Sequence, residues 1–523
     1  MSDGQFTPGV VEGQTLTGEH EISADVCIIG SGAGGAVAAA HLQQAGFRVV
    51  VLEEGGYFTQ DRFVMEEADA YPHLYQESAQ RTSKDLSVAI FQGRTVGGST
   101  TVNWTTCFRT PEETTERWRT HHAVEYVDQA ALTPHWQAVE ERLGINKIPL
   151  EQVNRNNRLL WDGCDKLGFE VDTLYRNVRG CARTGYCGMG CPIDAKQSML
   201  ITYLPDAMDA GATVLSRCRV ERLEHQAGEI VAAHGKFMDA LGIEFTGATV
   251  KVKAKRFILS AGAIGSPTLM LRSGLPDPYA RAGRRTFLHP VVVAAGEYDG
   301  PQVHGYHGAP QGVASHHHAH RGSEVGFFLE AAPLYPLLMA TAIPVWGVPH
   351  RAIMQKLPQM AAHIALAIDG HHDGEEGGQV TVLDSGRPQL DYVISDRVWA
   401  ALREASKVLA RVQLASGAQR SLTLHTSPLE FKSEADISKL DDADFAPNRV
   451  GVFSAHQMGG CGMSDDPAMG VVRSEDLRHH HINNLHVMDG SVFPTSCGVN
   501  PQLSIYGLSR LIAHRLIDAW GTA

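Results

Sequence analysis

Three glycines, Gly30, Gly32 and Gly35, stand at the spacing G-x-G-x-x-G, and an acidic residue, Glu53, follows further along. This is an arrangement with which proteins bind dinucleotides. The first glycine permits a tight turn, the second lets backbone N–H groups approach a pyrophosphate, and the third lets a helix pack closely on a strand. A carboxylate at position 53 can accept hydrogen bonds from both ribose hydroxyls, which is compatible with NAD or FAD and disfavours the 2′-phosphate of NADP.

A second candidate group for chemistry is the cysteine loop RGCARTGYCGMGCPIDAKQS, residues 179–198. Thiolates at the spacing of Cys181, Cys187 and Cys191 can hold an iron–sulfur cluster, and a Cys-Pro ending recurs in such sites. Cysteine is also among the most buried residue types, so close packing of thiols without metal is the ordinary outcome. We predict packed thiols in a structured loop, with a cluster and a redox-active or disulfide pair as the alternatives.

The glycine motif lies between elements that can position it. The apolar, β-branched run at 26–29 predicts a buried strand, and the run at 47–52 predicts a second one. Between them, 36–45 predicts a helix that Gly46 ends. The helix N-terminus then meets the glycines and supplies partial positive charge for phosphate. The strand–helix–strand unit therefore predicts a true dinucleotide site, without separating NAD from FAD.

Composition narrows the class of protein. The chain has 523 residues, of which 43% are hydrophobic, enough for a large core or two domains. Its net charge of −13 is spread along the chain, so we predict no nucleic-acid partner. The first 20 residues lack the basic and apolar regions of a signal peptide, and the nine cysteines form no disulfide framework. We therefore predict a cytoplasmic protein.

The apolar segment 329–348 contains three prolines and Glu330, which count against a transmembrane helix. We predict that it belongs to the core of a second domain. The alternatives are that the segment lines an apolar substrate pocket, or that it lies at the protein surface in peripheral contact with a membrane.

Three further motifs follow the glycines in order. They are GRTVGGSTTVNWTTCFR at 93–109, FILSAGAIGSPTLMLRSG at 257–274 with Pro267 predicted in the first turn of a helix, and a C-terminal block from SAHQMGGCGM to an Asn-Pro before a closing helix. Together the four motifs resemble the glucose–methanol–choline (GMC) oxidoreductases, and most of all the long-chain alcohol oxidase branch. The resemblance runs from about residue 22 to the C-terminus.

The resemblance implies an α/β fold of two domains. A discontinuous, Rossmann-like FAD-binding domain would comprise residues 22–110, 190–295 and 445–523. A substrate or cap domain with a mainly antiparallel sheet would comprise residues 111–189 and 296–444.

The resemblance also implies FAD as cofactor. No histidine stands in the segment GGSTTVNW, so we expect FAD to be bound non-covalently. Carried over by motif position, the implied cofactor contacts are Gly30, Gly32, Gly35, Glu53, Arg94, Gly98, Ser99, Asn103, Asp489, Gly490, Asn500, Pro501 and Gln502.

His456 and Asn500 match the catalytic histidine of the family and its His/Asn partner. Alcohol oxidation requires removal of the O–H proton while a hydride leaves the carbon for flavin N5. An imidazole can take that proton, and an amide can donate a hydrogen bond to the same oxygen. The chain departs from the family at Gly460 and Gly462, where Thr and Arg are frequent, so the local hydrogen bonding is not carried over.

The predicted function is FAD-dependent oxidation of an apolar, long-chain or bulky alcohol, with O₂ or a redox acceptor taking the electrons. The alternative is a FAD dehydrogenase subunit that passes electrons through an iron–sulfur cluster to a cytochrome or quinone, because the cysteine loop resembles the cluster segment of some FAD sugar dehydrogenases. Those enzymes carry a cysteine where this chain has Ala182. A non-catalytic flavin- or lipid-binding protein is a third interpretation, against which the His456/Asn500 pair argues. The sequence makes no prediction of oligomeric state.

Overall fold

The structure is a computed structural model that describes residues 7–521. In this part of the chain the α-helices are α1 (Ala33–Gln44), α2 (Glu67–Leu74), α3 (Glu112–His122), α4 (Gln129–Leu143), α5 (Arg155–Lys166), α6 (Tyr203–Asp209), α7 (Gly262–Arg272), α8 (Pro336–Ala342), α9 (Val348–Met354), α10 (Asp396–Ala415) and α11 (Gln502–Trp520).

The strands within the same residues are, in chain order, β1 (Gly9–Glu12), β2 (Glu19–Ile29), β3 (Val49–Leu52), β4 (Arg81–Thr82), β5 (Val88–Ile90), β6 (Ile145–Lys147), β7 (Asp172–Thr173), β8 (Tyr175–Asn177), β9 (Thr213–Ser216), β10 (Cys218–Gln226), β11 (Glu229–Met238), β12 (Phe245–Leu259), β13 (Arg284–Phe287), β14 (Val291–Glu297), β15 (Val313–Ser315), β16 (Phe327–Ala332), β17 (Met360–Ala367), β18 (Gly378–Val382), β19 (Pro388–Asp391), β20 (Arg420–Thr423), β21 (Glu430–Phe431), β22 (Val452–Ser454), β23 (Met458–Gly459) and β24 (Leu485–Val487).

The first sheet has the order β1-β9-β3-β2-β12-β11-β10, and β24 also pairs with β12. The pairs from β1 to β12 and the β12–β24 pair are parallel, whereas β10, β11 and β12 pair antiparallel. Helix α1 connects β2 to β3 and packs on α6 and α11. The predicted strand–helix–strand unit and the Rossmann-like sheet are thus confirmed.

Strand β2 begins seven residues before the predicted strand at 26–29. Its first half alternates, with Ile22 and Ala24 buried and Glu21 and Ser23 exposed. A strand with one face exposed to solvent has this period-2 pattern, whereas the predicted part at 26–29 is buried on both faces.

The second sheet has the order β4-β5-β22-β14-β17-β16-β15-β7, with β20 on β14 and β21 on β20. Its pairs are antiparallel except for β5 with β22. Helix α10 packs on β14 and β17 and against α5, so helices cover one face. The mainly antiparallel second sheet was also predicted correctly.

Two smaller sheets, β19-β18-β13-β23 and β6-β8, complete the fold. The exact domain limits stay a prediction. Strands β5 and β22 come from the segments assigned to the FAD-binding domain but pair in the second sheet.

Pro267 is the sixth residue of α7, so it lies in the second turn of this helix and not in the first, where it was predicted.

Among residues 7–521, none of the helices has both the length and the apolarity to cross a bilayer.

Candidate active site

A cavity of about 980 Å³ is lined by residues of both large sheets. This volume is at the upper end of the range for small-molecule and cofactor sites. Gly35 is absent from its lining, because this residue packs α1 on the backbone; a Cβ there would lie 2.1 Å from the Gly30 carbonyl oxygen. The other predicted site residues line this one cavity: Gly30, Gly32, Glu53, Arg94, Gly98, Ser99, Asn103, His456, Asp489, Gly490, Asn500, Pro501 and Gln502.

The glycine turn at one end of the cavity fits a pyrophosphate. Gly32 is the N-cap of α1, and no side chain of residues 7–521 caps this helix end. A Cβ on Gly98, whose φ is +56°, would lie 2.7 Å from the Cα of Gly32, so the two backbones approach too closely for a side chain. The first N–H groups of α1 therefore face the cavity with the positive end of the helix dipole, as a phosphate site requires.

Glu53 follows the end of β3 and is buried. Its carboxylate accepts hydrogen bonds from Ser31 N at 2.9 Å, Ser31 Oγ at 2.7 Å and Gly55 N at 2.7 Å. Burial raises the pKa of this carboxyl above its usual value, and the three donors oppose that rise. Oε2 accepts both Ser31 donors, whereas Oε1 accepts only Gly55 N and retains a lone pair, so the carboxylate is oriented and can still accept a ribose hydroxyl.

Asp489 is the N-cap of a short 3₁₀ helix at 490–492. It accepts hydrogen bonds from Gly262 N at 2.9 Å, Ser266 Oγ at 2.5 Å and Ser491 N at 2.8 Å. The carboxylate therefore joins the start of α7 to the C-terminal block. As a predicted cofactor contact, Asp489 would therefore act chiefly by holding this backbone in place.

The remaining predicted cofactor residues are held by polar contacts. Asn103 Nδ2 donates to Gln502 Oε1 at 2.7 Å, and Gln502 Nε2 donates to the Thr106 carbonyl oxygen at 2.5 Å. Arg94 donates to the Gly242 carbonyl oxygen at 2.8 Å, and Ser99 Oγ accepts from Gly93 N at 2.9 Å. Asn103 thus ties the segment 93–103 to the start of α11, and Arg94 ties it to the turn between β11 and β12.

His456 and Asn500 meet at the other end of the cavity. Asn500 Nδ2 lies 3.4 Å from His456 Nε2, and His456 Nδ1 lies 3.2 Å from His289 Nδ1. If Asn500 donates to Nε2, then His456 carries its proton on Nδ1 and donates it to His289. Loss of hydration lowers the pKa of His456 to about 4. The imidazole is therefore neutral at pH 7, with a lone pair on Nε2.

Glu330, which the sequence reasoning did not assign to the site, lies beside this pair. It is on β16 with 0% of its surface exposed, and burial raises its pKa to about 8. Its Oε2 accepts from Gln311 Nε2 at 2.7 Å and from Asn500 Nδ2 at 3.4 Å, whereas Oε1 has no partner within residues 7–521. The sequence signal that could have indicated Glu330 is a single acidic residue within the otherwise apolar run FFLEAA, which forms a buried strand. A carboxylic acid so placed fixes the Asn500 amide.

His289 is a second residue that the sequence reasoning missed. It is fully buried after β13, and desolvation, together with the neighbouring His456, holds its pKa well below the ordinary value. Asp369 accepts hydrogen bonds from the backbone N–H groups of Leu288 and His289 at 2.9 and 3.0 Å and thereby positions this ring. No spacing in the sequence indicates the His289–His456 contact.

The second sheet presents an apolar face to the cavity. Alternate residues of β14 and β17 point to it, as expected for a period of two. Glu330 is the acidic member of this face. The apolar members are Val291, Val293, Ala295, Ala332, Met360, Ala362, Ile364, Leu366, Leu422 and Phe453.

The cysteine loop packs behind the segment 93–103, outside the cavity. Arg176, 2% exposed, places its guanidinium 4.0 Å from Cys181 Sγ and 3.9 Å from Cys187 Sγ. Lys196 donates to the carbonyl oxygens of Cys187 and Asn103, at 2.7 and 3.1 Å, and so ties the loop to that segment. In the described part of the chain, no group of three or more His, Cys, Asp or Glu residues is arranged to hold a metal ion.

Sequence models of known families match most of the chain. Two models of the GMC oxidoreductases match residues 71–291 and 375–509. A model of NAD(P)-binding Rossmann-like domains matches residues 28–78.

Two relatives match over almost the whole chain. An uncharacterised GMC-type oxidoreductase of Mycobacterium tuberculosis is 31% identical over 498 residues, which cover 94% of this chain and 76% of the relative. A long-chain-alcohol oxidase of Arabidopsis thaliana is 29% identical over 533 residues, which cover 96% of this chain and 68% of that protein.

Among solved structures, a pyridoxine 4-oxidase from Mesorbium loti superposes with a TM-score of 0.69 at 19% identity, over 94% of this chain and 98% of that one. A formate oxidase from Aspergillus oryzae superposes with a TM-score of 0.68 at 14% identity, over 96% and 99% of the two chains. At these identities the likeness supports the fold alone.

Proposed function

Because this chain belongs to the GMC oxidoreductase family, we propose that it oxidises an apolar alcohol to the aldehyde or ketone, with non-covalently bound FAD and with His456 as the base. FAD, when bound, supplies the hydride acceptor. The observation that carries the proposal is the neutral His456–Asn500 pair at the end of a cavity whose second-sheet face is otherwise almost entirely apolar. The long-chain-alcohol oxidase relatives support the choice of substrate class.

His456 Nε2 would accept the hydroxyl proton of the alcohol. A base with a pKa of about 4 is unprotonated at pH 7, and desolvation keeps it so until negative charge develops on the substrate oxygen. His289 Nδ1, 3.2 Å from His456 Nδ1, would hold the ring in one tautomer.

On binding, the alcohol hydroxyl would replace the Asn500 Nδ2–H group at His456 Nε2, and that N–H group would donate instead to the substrate oxygen as charge develops there. Glu330 is a positioning residue in this scheme, since it would act through its contact with Asn500. As a neutral acid at pH 7 it adds no negative charge beside a developing alkoxide, which an ionised carboxylate would disfavour.

The alkyl part of the alcohol would contact the second-sheet face formed by β14, β16 and β17. A sugar carries several hydroxyl groups that would lose their hydrogen bonds on this face, at a cost of roughly 1–3 kcal/mol each. An alkyl chain loses no hydrogen bonds on this face, and burial of its apolar surface stabilises the complex.

The test is anaerobic stopped-flow reduction of the flavin by a panel of primary alcohols, glucose and choline. His456→Ala should slow flavin reduction about 10² to 10⁴-fold, the usual effect of losing a positioned base, while FAD content stays unchanged. His234→Ala is the matched control, because His234 lies on β11 and pairs with Glu224 at 2.7 Å, away from the cavity lining. Reduction of His456→Ala at the wild-type rate would exclude the proposed base.

A further inference from the structure

The two most exposed large hydrophobic side chains of residues 7–521 are close together in the sequence. Trp346 is 85% exposed and Val348 is 81% exposed. They flank Gly347, whose φ of +67° turns the chain between α8 and α9. We refer to residues 336–354, which comprise both helices and this turn, as the lip segment.

The other side of the lip segment lines the cavity. Leu338, Met339 and Ile343 contribute to the cavity wall from α8 and the residue after it, and Ile353 contributes from α9. Glu67 of α2 fixes the start of α8, since its carboxylate accepts from Leu337 N at 2.6 Å and Leu338 N at 2.8 Å. One short, anchored segment therefore has an apolar face toward the cavity and an apolar tip toward solvent.

The charge of this region differs from that of the whole protein. No Asp or Glu occurs between Glu330 and Asp369, although 58 acidic residues in 523 would place about four in a stretch of that length. Arg351 and Lys356, in and after α9, are exposed cations. Lys356 also pairs with Glu297 at 3.0 Å. In a protein of net charge −13, the lip segment thus combines exposed apolar side chains with the exposed cation Arg351 and no acidic residue, and Lys356 lies two residues beyond it.

We propose that the lip segment docks on the surface of a phospholipid bilayer that contains anionic lipids, with Trp346 and Val348 inserted at the headgroup level. Tryptophan is enriched at that depth of a bilayer, and basic residues are attracted to anionic headgroups. A bilayer fits better than a neutral apolar partner, because such a partner would not use the positive charge.

Docking would also give an apolar substrate a route from the bilayer to the cavity. An alcohol that partitions into lipid would pass from the bilayer along the lip segment into the cavity without crossing water. This second part rests on the proposed function, whereas the docking itself does not.

The test is co-sedimentation of the FAD-loaded protein with vesicles of phosphatidylcholine alone or with 30% phosphatidylglycerol as the probe, a composition on the order of that of anionic membranes. We expect binding to the anionic vesicles and at least about tenfold weaker binding of the double variant Trp346→Ser, Val348→Ser. The matched control is Val393→Ser, because Val393 is 74% exposed and lies between β19 and α10. These side chains are exposed, so the variants should fold; flavin content and melting temperature check this.

Failure to sediment with either vesicle, or undiminished binding of the double variant, would overturn docking. So would light scattering that shows a wild-type dimer and a monomeric double variant, because the lip segment would then be an interface between two copies of the chain. Oxidation of a water-soluble short alcohol should be equal in wild type and double variant, while oxidation of a vesicle-borne long alcohol falls in the variant. Vesicle binding by a protein that oxidises no alcohol would sustain docking and refute the proposed function.

Discussion

The neutral carboxyl of Glu330 makes the folded protein less stable as the pH rises. Its pKa is about 8 in the folded protein, against an ordinary value of 4.5, because burial disfavours the ionised form. The unfolded chain therefore releases this proton at a lower pH than the folded chain does. The contribution of the Glu330 carboxyl to the free energy of unfolding is therefore fully present below pH 4.5. It is lost as the pH rises from 4.5 to 8 and does not return above pH 8.

The substitution Glu330→Gln removes the titratable carboxyl proton and keeps the shape of the side chain. The Gln oxygen can still accept from Gln311 and Asn500, and its NH₂ group takes the position of the unpaired Oε1. At about 1.4 kcal/mol per pH unit, the variant should gain about 1 kcal/mol over wild type at pH 5.5 and about 4 kcal/mol at pH 7.5. For a chain of this length each kcal/mol corresponds to roughly 1 °C in melting temperature.

The assay is the melting temperature of wild type and Glu330→Gln, both saturated with FAD, from pH 5 to 8. The difference between the two curves isolates Glu330, since every other titrating group is common to both. Glu324→Gln, the same substitution at an exposed position just before β16, should leave the curve parallel to wild type. Parallel curves for Glu330→Gln would refute the reasoning, because Glu330 would then be ionised in the folded protein.

Three further outcomes are expected. The purified protein should be yellow and should release FAD on precipitation with acid; flavin that stays in the pellet would show a covalent link instead. For primary alcohols, kcat/KM should rise by up to about 15-fold for every two carbons until the cavity is filled, because each buried CH₂ contributes about 0.8 kcal/mol; a flat profile or a preference for glucose would contradict an apolar pocket. Protein purified anaerobically should contain neither iron nor acid-labile sulfide; about three or four irons per chain that are lost in Cys187→Ser would establish a cluster in the cysteine loop.

Local signals in the sequence were sufficient for the strand–helix–strand unit of the predicted cofactor site. The turn at Gly30 and the buried strand β3 have patterns that neighbouring residues determine, and both were predicted within a few residues. The first half of β2 was missed because its alternating pattern is short and contains charged residues.

The site around His456 could be predicted only in part. Motif position gave His456 and Asn500, but the contacts of these residues with His289 and Glu330 join positions 167 and 170 residues apart. The register of β16 against β17 decides whether Glu330 faces the cavity, since a slip by one residue would turn it to the other face of the sheet. That register depends on packing of the whole sheet, which no local pattern encodes.

The place of β12 in the first sheet has a consequence for the newly made chain. This strand pairs with β2, near the start of the sequence, and with β24, which begins 456 residues after β2 ends. At a synthesis rate of about 5–20 residues per second, β2 would wait roughly 20 to 90 s before β24 leaves the ribosome. The C-terminal block with Asp489 and Asn500 arrives at the end of the same interval, so the cofactor site stays incomplete until then. Until then residues 257–259 of β12 lack their β24 partner, and this open strand edge is where a non-native strand could pair.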